Sequence, residues 1–209
     1  MPHAAAGMST SEGAEQTGAE DESLRAFVGV APGSALRAAL AQVREALASA
    51  DFGDGLRWVP AENLHLTLRF LGEVPRASLP ALISALRDGL GEQACFELPL
   101  EGIALFPSAR RPRALVAALP GARRLEELAA AVEAAVREGG LPPERRRFRP
   151  HITLARVRRG QRAGELPGIP FEAPHLAVNR VTLYRSVLAS SGARYSSLED
   201  IALGESTAS

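Results

Sequence analysis

Two short phrases, HLTLRF at residues 65–70 and HITLAR at 151–156, limit what this chain can become. Each alternates polar and apolar residues with a period of two, the pattern of a strand with one buried face. Residues i and i+2 of a strand share a face, so His65 projects with Thr67 and His151 with Thr153, while Leu66, Leu68, Ile152 and Leu154 turn to a core. The approaches repeat as well: Trp58 and Pro60 precede His65, and Phe148 and Pro150 precede His151. Two copies of one strand, holding two of the chain's four histidines, predict a fold of two comparable halves.

Around these strands, strand and helix patterns alternate. LRAFVGV from Leu24 reads as a buried strand, and Leu36, Leu40, Val43 and Leu47 recur at helical spacing up to the turn at residues 51–55. RWVPAENLHLTLRFLGE reads as the strand carrying the first motif, turning between Gly72 and Pro75 into a helix with Leu79, Leu82, Ile83, Leu86 and Leu90 on one face. Strands are expected in CFELPLEGIALF and RALVAAL, then a third helix marked by Leu125, Leu128, Val132 and Val136 and stopped by GGLPP at 139–143. After the second motif, FEAPHLAV, RVTLYRSVLA and RYSSLEDIAL read as strands, the last two joined by the turn SSG. This order lacks βαβ regularity and predicts an α+β fold of two lobes, each a sheet with helices. Residues 1–23 are small, acidic and aperiodic and read as a disordered leader, leaving one bilobal domain at 24–203 and a flexible tail at 204–209.

Composition excludes several chemistries. The single cysteine, Cys95, permits neither an internal disulfide nor a cysteine zinc cage, and reads as an inert apolar residue. No apolar run approaches the ~20 residues of a membrane-spanning helix, and no secretory leader is evident, so a soluble cytoplasmic protein is expected. All 24 basic residues are arginine, which rules out a Walker lysine, a Schiff base and a lysine-linked intermediate. The formal charge is zero, yet five acids lie in residues 1–23 and three in 199–209, leaving 24 arginines against 16 acids between them. That body, at +8, suits a polyanionic ligand or a solvated basic surface.

If the two strands face one another, the site holds two imidazoles and two hydroxyls, a set suited to in-line phosphodiester hydrolysis. A neutral histidine takes the proton of the attacking water and a protonated one gives a proton to the departing oxygen, each transfer being worth ~10²–10⁴-fold. Threonine hydroxyls and arginine hold the phosphate oxygens, and neither a metal nor a cofactor is required. There is no HExxH and no close histidine pair, and His175 has no threonine partner and reads as a surface or structural residue. Arg145, Arg146, Arg147, Phe148 and Arg149, with Arg158 and Arg159, surround the second motif with charge suited to RNA backbone and base contacts or to solvent; Arg110, Arg111 and Arg113 form a second such cluster.

HLTLRF and HITLAR together resemble the two-histidine phosphoesterase superfamily, and within it the RNA 2′,3′-cyclic phosphodiesterases, also called the 2′-5′ RNA ligase family. RAFVGV, RWVPAENLHLTLRFLGEV, FELPLEGIALFPSARRPRALVAAL, RRRFRPHITLARV and VTLYRSVLASSGARYSSL all look like that family's layout. The resemblance implies a pseudo-twofold bilobal fold with the active-site cleft between lobes, and hydrolysis of an RNA-terminal 2′,3′-cyclic phosphate to a 2′-phosphomonoester, with reversible 2′-5′ ligation as a second capacity. It makes His65 the proton donor and His151 the proton acceptor, with Thr67, Thr153 and Arg156 on the phosphate. The residues alone do not distinguish acid from base. Simple alternation places Arg156 on the face away from His151, so a bulge or strand end would have to redirect it. The implied partners are RNA ends with a cyclic phosphate, tRNA fragments or small cyclic nucleotides, met by a monomer away from membranes. A non-catalytic RNA-end binder, and a relative acting on another cyclic or 2′-5′ phosphodiester, are the competing readings.

Overall fold

The computed structural model describes residues 22–49, 52, 55–158, 166–169, 171–189 and 192–204. The leader up to Asp21, the tail beyond Gly204 and the first two residues of the SSG turn lie outside them. The described strands are β1 (Ser23–Val30), β2 (Leu56–Trp58), β3 (Leu66–Pro75), β4 (Phe96–Leu98), β5 (Gly102–Phe106), β6 (Ala114–Ala118), β7 (His151–Val157), β8 (Leu176–Val178), β9 (Arg180–Ala189) and β10 (Gly192–Ala202). Between them run helices α1 (Ser34–Ser49), α2 (Leu79–Leu90) and α3 (Arg123–Glu138).

Seven strands follow the order β10-β9-β1-β3-β7-β6-β5, with β2 also on β7, and every pairing in this sheet is antiparallel. The small sheet β4-β8 stands apart. The architecture is the α+β class that the alternating patterns predict. β3 and β7 meet at a single pair, Leu66 with Ile152, and both side chains are fully buried. On one side of this seam lie β1, β9 and β10; on the other lie β6, β5 and β2. These are the two lobes, joined through their motif strands.

The helices form where their apolar residues recur. Leu36, Leu40, Val43 and Leu47 are buried on α1; Leu82, Ala85, Leu86 and Leu90 on α2; Leu125, Leu128, Val132, Ala135 and Val136 on α3. α2 packs on α3, α3 on β3, and α2 on β10. A Cβ at Gly139, just past α3, would lie 2.8 Å from the Cα of Leu82, so only glycine lets the two helices approach so closely there. No helix among the described residues is long and apolar enough to cross a membrane.

Two sequence expectations need correction. RWVPAENLHLTLRFLGE is not one strand: β2 ends at Trp58, and a 3₁₀ turn at Ala61–Asn63 redirects the chain before β3. Pro60 starts that turn because its ring fixes φ and supplies no amide donor to a ladder. The strand also does not turn at Gly72. β1 pairs along β3 as far as Ser23 opposite Pro75, and although the register shifts once more at Leu71, that ladder carries β3 through the glycine.

Candidate active site

The two motif strands are built the same way. In the first lobe, Val30 pairs with Leu66 and Gly29 with Thr67; in the second, Ala117 pairs with Ile152 and Val116 with Thr153. Each ladder then slips by one residue: Arg69 pairs with Val28 and Ala155 with Leu115, leaving Leu68 and Leu154 as the extra residues of matching bulges. A local twofold therefore passes through the Leu66–Ile152 pair. Antiparallel geometry at that pair sets His65 beside Thr153 and Thr67 beside His151, all four on the face opposite the buried Leu66 and Ile152.

The bulges settle the direction of Arg156. Leu154 and Ala155 are both buried, so the alternation restarts and Arg156 is exposed on the site face, lining the large cleft. In the first lobe Leu68 and Arg69 are buried and Phe70, the counterpart of Arg156, is 54% exposed and lines the same cleft. Phe70 was not singled out from the sequence, although aligning HLTLRF with HITLAR sets it opposite Arg156.

Both histidines are held by the same bond. Nδ1–H of His65 donates to the carbonyl of Asn63 at 2.7 Å, and Nδ1–H of His151 donates to the carbonyl of Arg149 at 2.7 Å. A carbonyl can only accept, so Nδ1 carries the proton in each ring and Nε2 is left for chemistry. The rings are also packed. Phe27 lies against His65 at 4.5 Å between centroids, with Tyr195 edge-on at 5.2 Å; Phe106 stacks on His151 at 4.4 Å and carries the Arg149 guanidinium at 4.5 Å. Burial lowers the pKa of both imidazoles below the ordinary value, more than the carbonyl bonds raise them. The charges of Arg156 and His151 lower His65 further, and those of Arg149 and Arg156 lower His151.

Glycine is required at position 29. A Cβ there would lie 2.7 Å from the Leu66 carbonyl oxygen and 3.6 Å from Cδ2 of His65. Asn63, 9% exposed, is bonded on both sides: its carbonyl holds the imidazole, and its side-chain amide donates to the Ala193 carbonyl of β10 at 2.8 Å. Buried Arg69 donates to Glu133 at 2.7 Å, to the Pro142 carbonyl at 2.6 Å, to Glu144 at 3.4 Å and to the Phe70 carbonyl. This pins the segment before the second motif to β3, and Arg146 in that segment lines the cleft. Removing one partner of such a buried charge network costs about 3–5 kcal/mol.

The other candidates lie elsewhere. Arg110, Arg111 and Arg113 are situated between β5 and β6, outside the residues lining the cleft. His175 is exposed, 3.8 Å from Glu97, and Cys95 is half-buried before β4. Arg159 falls outside the described residues. Among the described residues, no group of three or more His, Cys, Asp or Glu is placed to hold a metal ion. What this face of the sheet presents is two tautomer-fixed imidazoles and two hydroxyls about the Leu66–Ile152 pair, with one arginine and one exposed ring, Arg156 and Phe70, lining the adjoining cleft.

Residues 30–116 and 118–195 match the family described as LigT like phosphoesterase. An RNA 2′,3′-cyclic phosphodiesterase of Methanothermobacter thermautotrophicus is 30% identical over 84% of this chain and 97% of its own length. The crystal structure of Escherichia coli LigT complexed with 3′-AMP superposes with a TM-score of 0.72, at 30% identity over 88% of this chain and all of that one. A crystal structure of a Thermus thermophilus protein gives 0.70 at 32% identity, over 86% of this chain and 98% of that chain.

Proposed function

This chain belongs to the LigT-like phosphoesterase family, and from that premise we propose that it hydrolyses the 2′,3′-cyclic phosphate at an RNA end to a 2′-phosphomonoester by paired histidine catalysis. The observation that carries this reading is the twofold repetition of one device: an Nδ1-anchored imidazole beside a threonine from the opposite strand, on either side of the Leu66–Ile152 pair.

In this reading the reacting phosphorus sits between the imidazoles. Nε2 of neutral His151 takes a proton from water as the water oxygen bonds to phosphorus. The bond from phosphorus to O3′ breaks, and protonated His65 gives its Nε2 proton to that oxygen, leaving a 3′-hydroxyl and a 2′-phosphate. Thr67 and Thr153 donate to the non-bridging oxygens, and Arg156 offers them its planar pair of donors. Phe70 presents a face on which the terminal base stacks, a contact worth ~1–3 kcal/mol. With the nucleoside on the first lobe, His65 stands on the side of the leaving ribose oxygen. The anionic phosphate offsets the burial that lowers the His65 pKa, so its protonated form is favoured once substrate is bound. With a ribose 5′-hydroxyl in place of water, the same relay joins ends through a 2′-5′ linkage: His151 takes the proton of the hydroxyl, its oxygen bonds to phosphorus, and O3′ leaves with the proton of His65.

The test uses a short RNA ending in a 2′,3′-cyclic phosphate, incubated in EDTA with wild type, His65→Ala and His151→Ala. The expected result is a 2′-phosphate from wild type and a ~10²–10⁴-fold loss in each variant. A 3′-phosphate product would reverse the leaving oxygen, and activity that chelation abolishes and added metal restores would replace the mechanism.

A further inference from the structure

Building on the hydrolytic reading, we infer that Arg69, in the first motif, is a positioning residue for His151 of the second. It holds the segment whose last carbonyl fixes the His151 ring, and so sets the general base from the opposite lobe.

That segment needs an outside hold. Residues 142–149 form neither helix nor strand, and among the described residues none of their amides or carbonyls bonds to another backbone group. The first lobe solves the same problem locally: in its 3₁₀ turn the Asn63 amide bonds to the Pro60 carbonyl at 2.9 Å, and the Asn63 carbonyl is thereby presented to His65. No such turn precedes Arg149. One guanidinium takes its place. Nη2 of Arg69 donates to the Pro142 carbonyl at 2.6 Å and Nε to Glu133 at 2.7 Å, while the other oxygen of that carboxylate accepts the Glu144 amide at 3.1 Å. Glu144 lies 3.4 Å from Nη1 and accepts the amides of Arg145 and Arg146 at 2.8 and 3.0 Å. The backbone from 142 to 146 is thus tied to a side chain of β3.

Little slack remains beyond the tie. From Arg146 to Arg149 the chain can span at most about 10 Å. Within that stretch Phe148 packs against the core, and Pro150 disfavours helical backbone at Arg149. The Arg149 carbonyl then meets Nδ1 of His151 at 2.7 Å, so a shift of the tied end reaches the bond that sets the tautomer and tilt of the base. The device also runs one way. Ala155, fully buried, is the residue of the second motif that corresponds to Arg69, and its methyl group can hold no segment. Apolar packing would join α3 to β3 with less desolvation than a buried charge. What the guanidinium adds is direction, a planar fork bonded to four acceptors, the Phe70 carbonyl among them.

The test reads the ring and the rate separately. Heteronuclear NMR of the imidazole nitrogens at alkaline pH, each ring identified by its loss in His65→Ala or His151→Ala, is recorded beside kcat and KM for a short RNA ending in a 2′,3′-cyclic phosphate. The variants are Arg69→Met; Glu144→Ala, which leaves the Arg69–Glu133 pair in place; and Glu144→Gln, whose amide oxygen still accepts the two backbone N–H groups. In wild type both rings are expected as the Nδ1–H tautomer. Arg69→Met and Glu144→Ala should give His151 a mixture of tautomers, leave His65 as it is, and lower kcat by about tenfold with KM within about twofold. Glu144→Gln should keep wild-type behaviour in both readouts. If Arg69→Met does not fold, Glu144→Ala decides. An unchanged His151 ring in Glu144→Ala, the same change in both rings, or a mixed ring with kcat intact would overturn the positioning role and leave Arg69 a brace of the fold. A wild type without turnover whose His151 ring still loosens in Glu144→Ala would overturn the hydrolytic reading and leave the positioning role standing.

Discussion

The two lobes share a backbone and differ in what they hang on it. At matched positions about the Leu66–Ile152 pair, Gly29 faces Val116, Phe70 faces Arg156, and Asn63 faces Arg149. The ring against His65 comes from β1, as Phe27, whereas the ring against His151 comes one strand further out, as Phe106 on β5, with Ala114 occupying the β6 position that Phe27 holds on β1. In the proposed reaction the twofold framework would put two identical imidazoles on one phosphorus, and the departures from it would give them different work. The arginine side suits the phosphate and the phenylalanine side suits the nucleoside.

The sharpest break of this symmetry is chemical. An aryl phosphodiester leaves without being protonated, so His65→Ala should keep most of its turnover on p-nitrophenyl esters while losing ~10²–10⁴-fold on a cyclic phosphate; His151→Ala should lose that much on both. Rescue of His151→Ala instead would exchange the two roles. Next in size, Arg156→Ala should lower kcat/KM by about 10²-fold, as charge-assisted bonds to phosphate are lost. Phe70→Ala should lower it by about tenfold and mainly in KM, since only stacking is removed. Equal losses at the two positions would mean that the lobes do not divide phosphate from base.

The pH profile separates the histidines further. In the proposed mechanism the free enzyme is active with His151 neutral and His65 protonated, so kcat/KM should rise as His151 loses its proton and fall as His65 loses its own. Both pKa values are lowered by burial, which puts the bell on the acid side of the ordinary imidazole value of about 6.5. Arg149 lowers His151 alone among the two, so Arg149→Ala should move the acidic limb to higher pH and leave the alkaline limb in place. Movement of both limbs together would show that the two titrations are not separable.

The paired strands, the three helices and the four motif side chains were legible in the sequence because each is written in a local period: two for HLTL and HITL, three to four for the leucine rows. The bulges were not, because Leu68 and Leu154 become extra residues only through pairing with β1 and β6, distant in the chain. Everything downstream of a bulge was hidden with it. Parity alone sent Arg156 to the wrong face and gave no reason to bury Arg69, whose partners Glu133 and Glu144 come from α3 and the segment after it. The break between β2 and β3 was written in Pro60, but the apolar run across it masked the turn.

The smallest expected effect concerns Asn63, where the first lobe has an anchor that its counterpart lacks. The carbonyls of Asn63 and Arg149 do the same work on their histidines, but only the Asn63 side chain reaches the opposite wall, at Ala193. Ala193 is two residues from Tyr195, whose ring packs edge-on against His65. Asn63→Ala removes one donor and leaves the Ala193 carbonyl without it, a loss of about 1 kcal/mol in stability. If the bond also sets the carbonyl that holds His65, kcat/KM should fall by about fivefold on cyclic phosphate RNA, the equivalent of that same ~1 kcal/mol, and barely change on the aryl ester, where His65 is not needed as an acid. A fall of equal size on both substrates, or a lower melting temperature with both activities intact, would make the bond a brace of the hairpin alone.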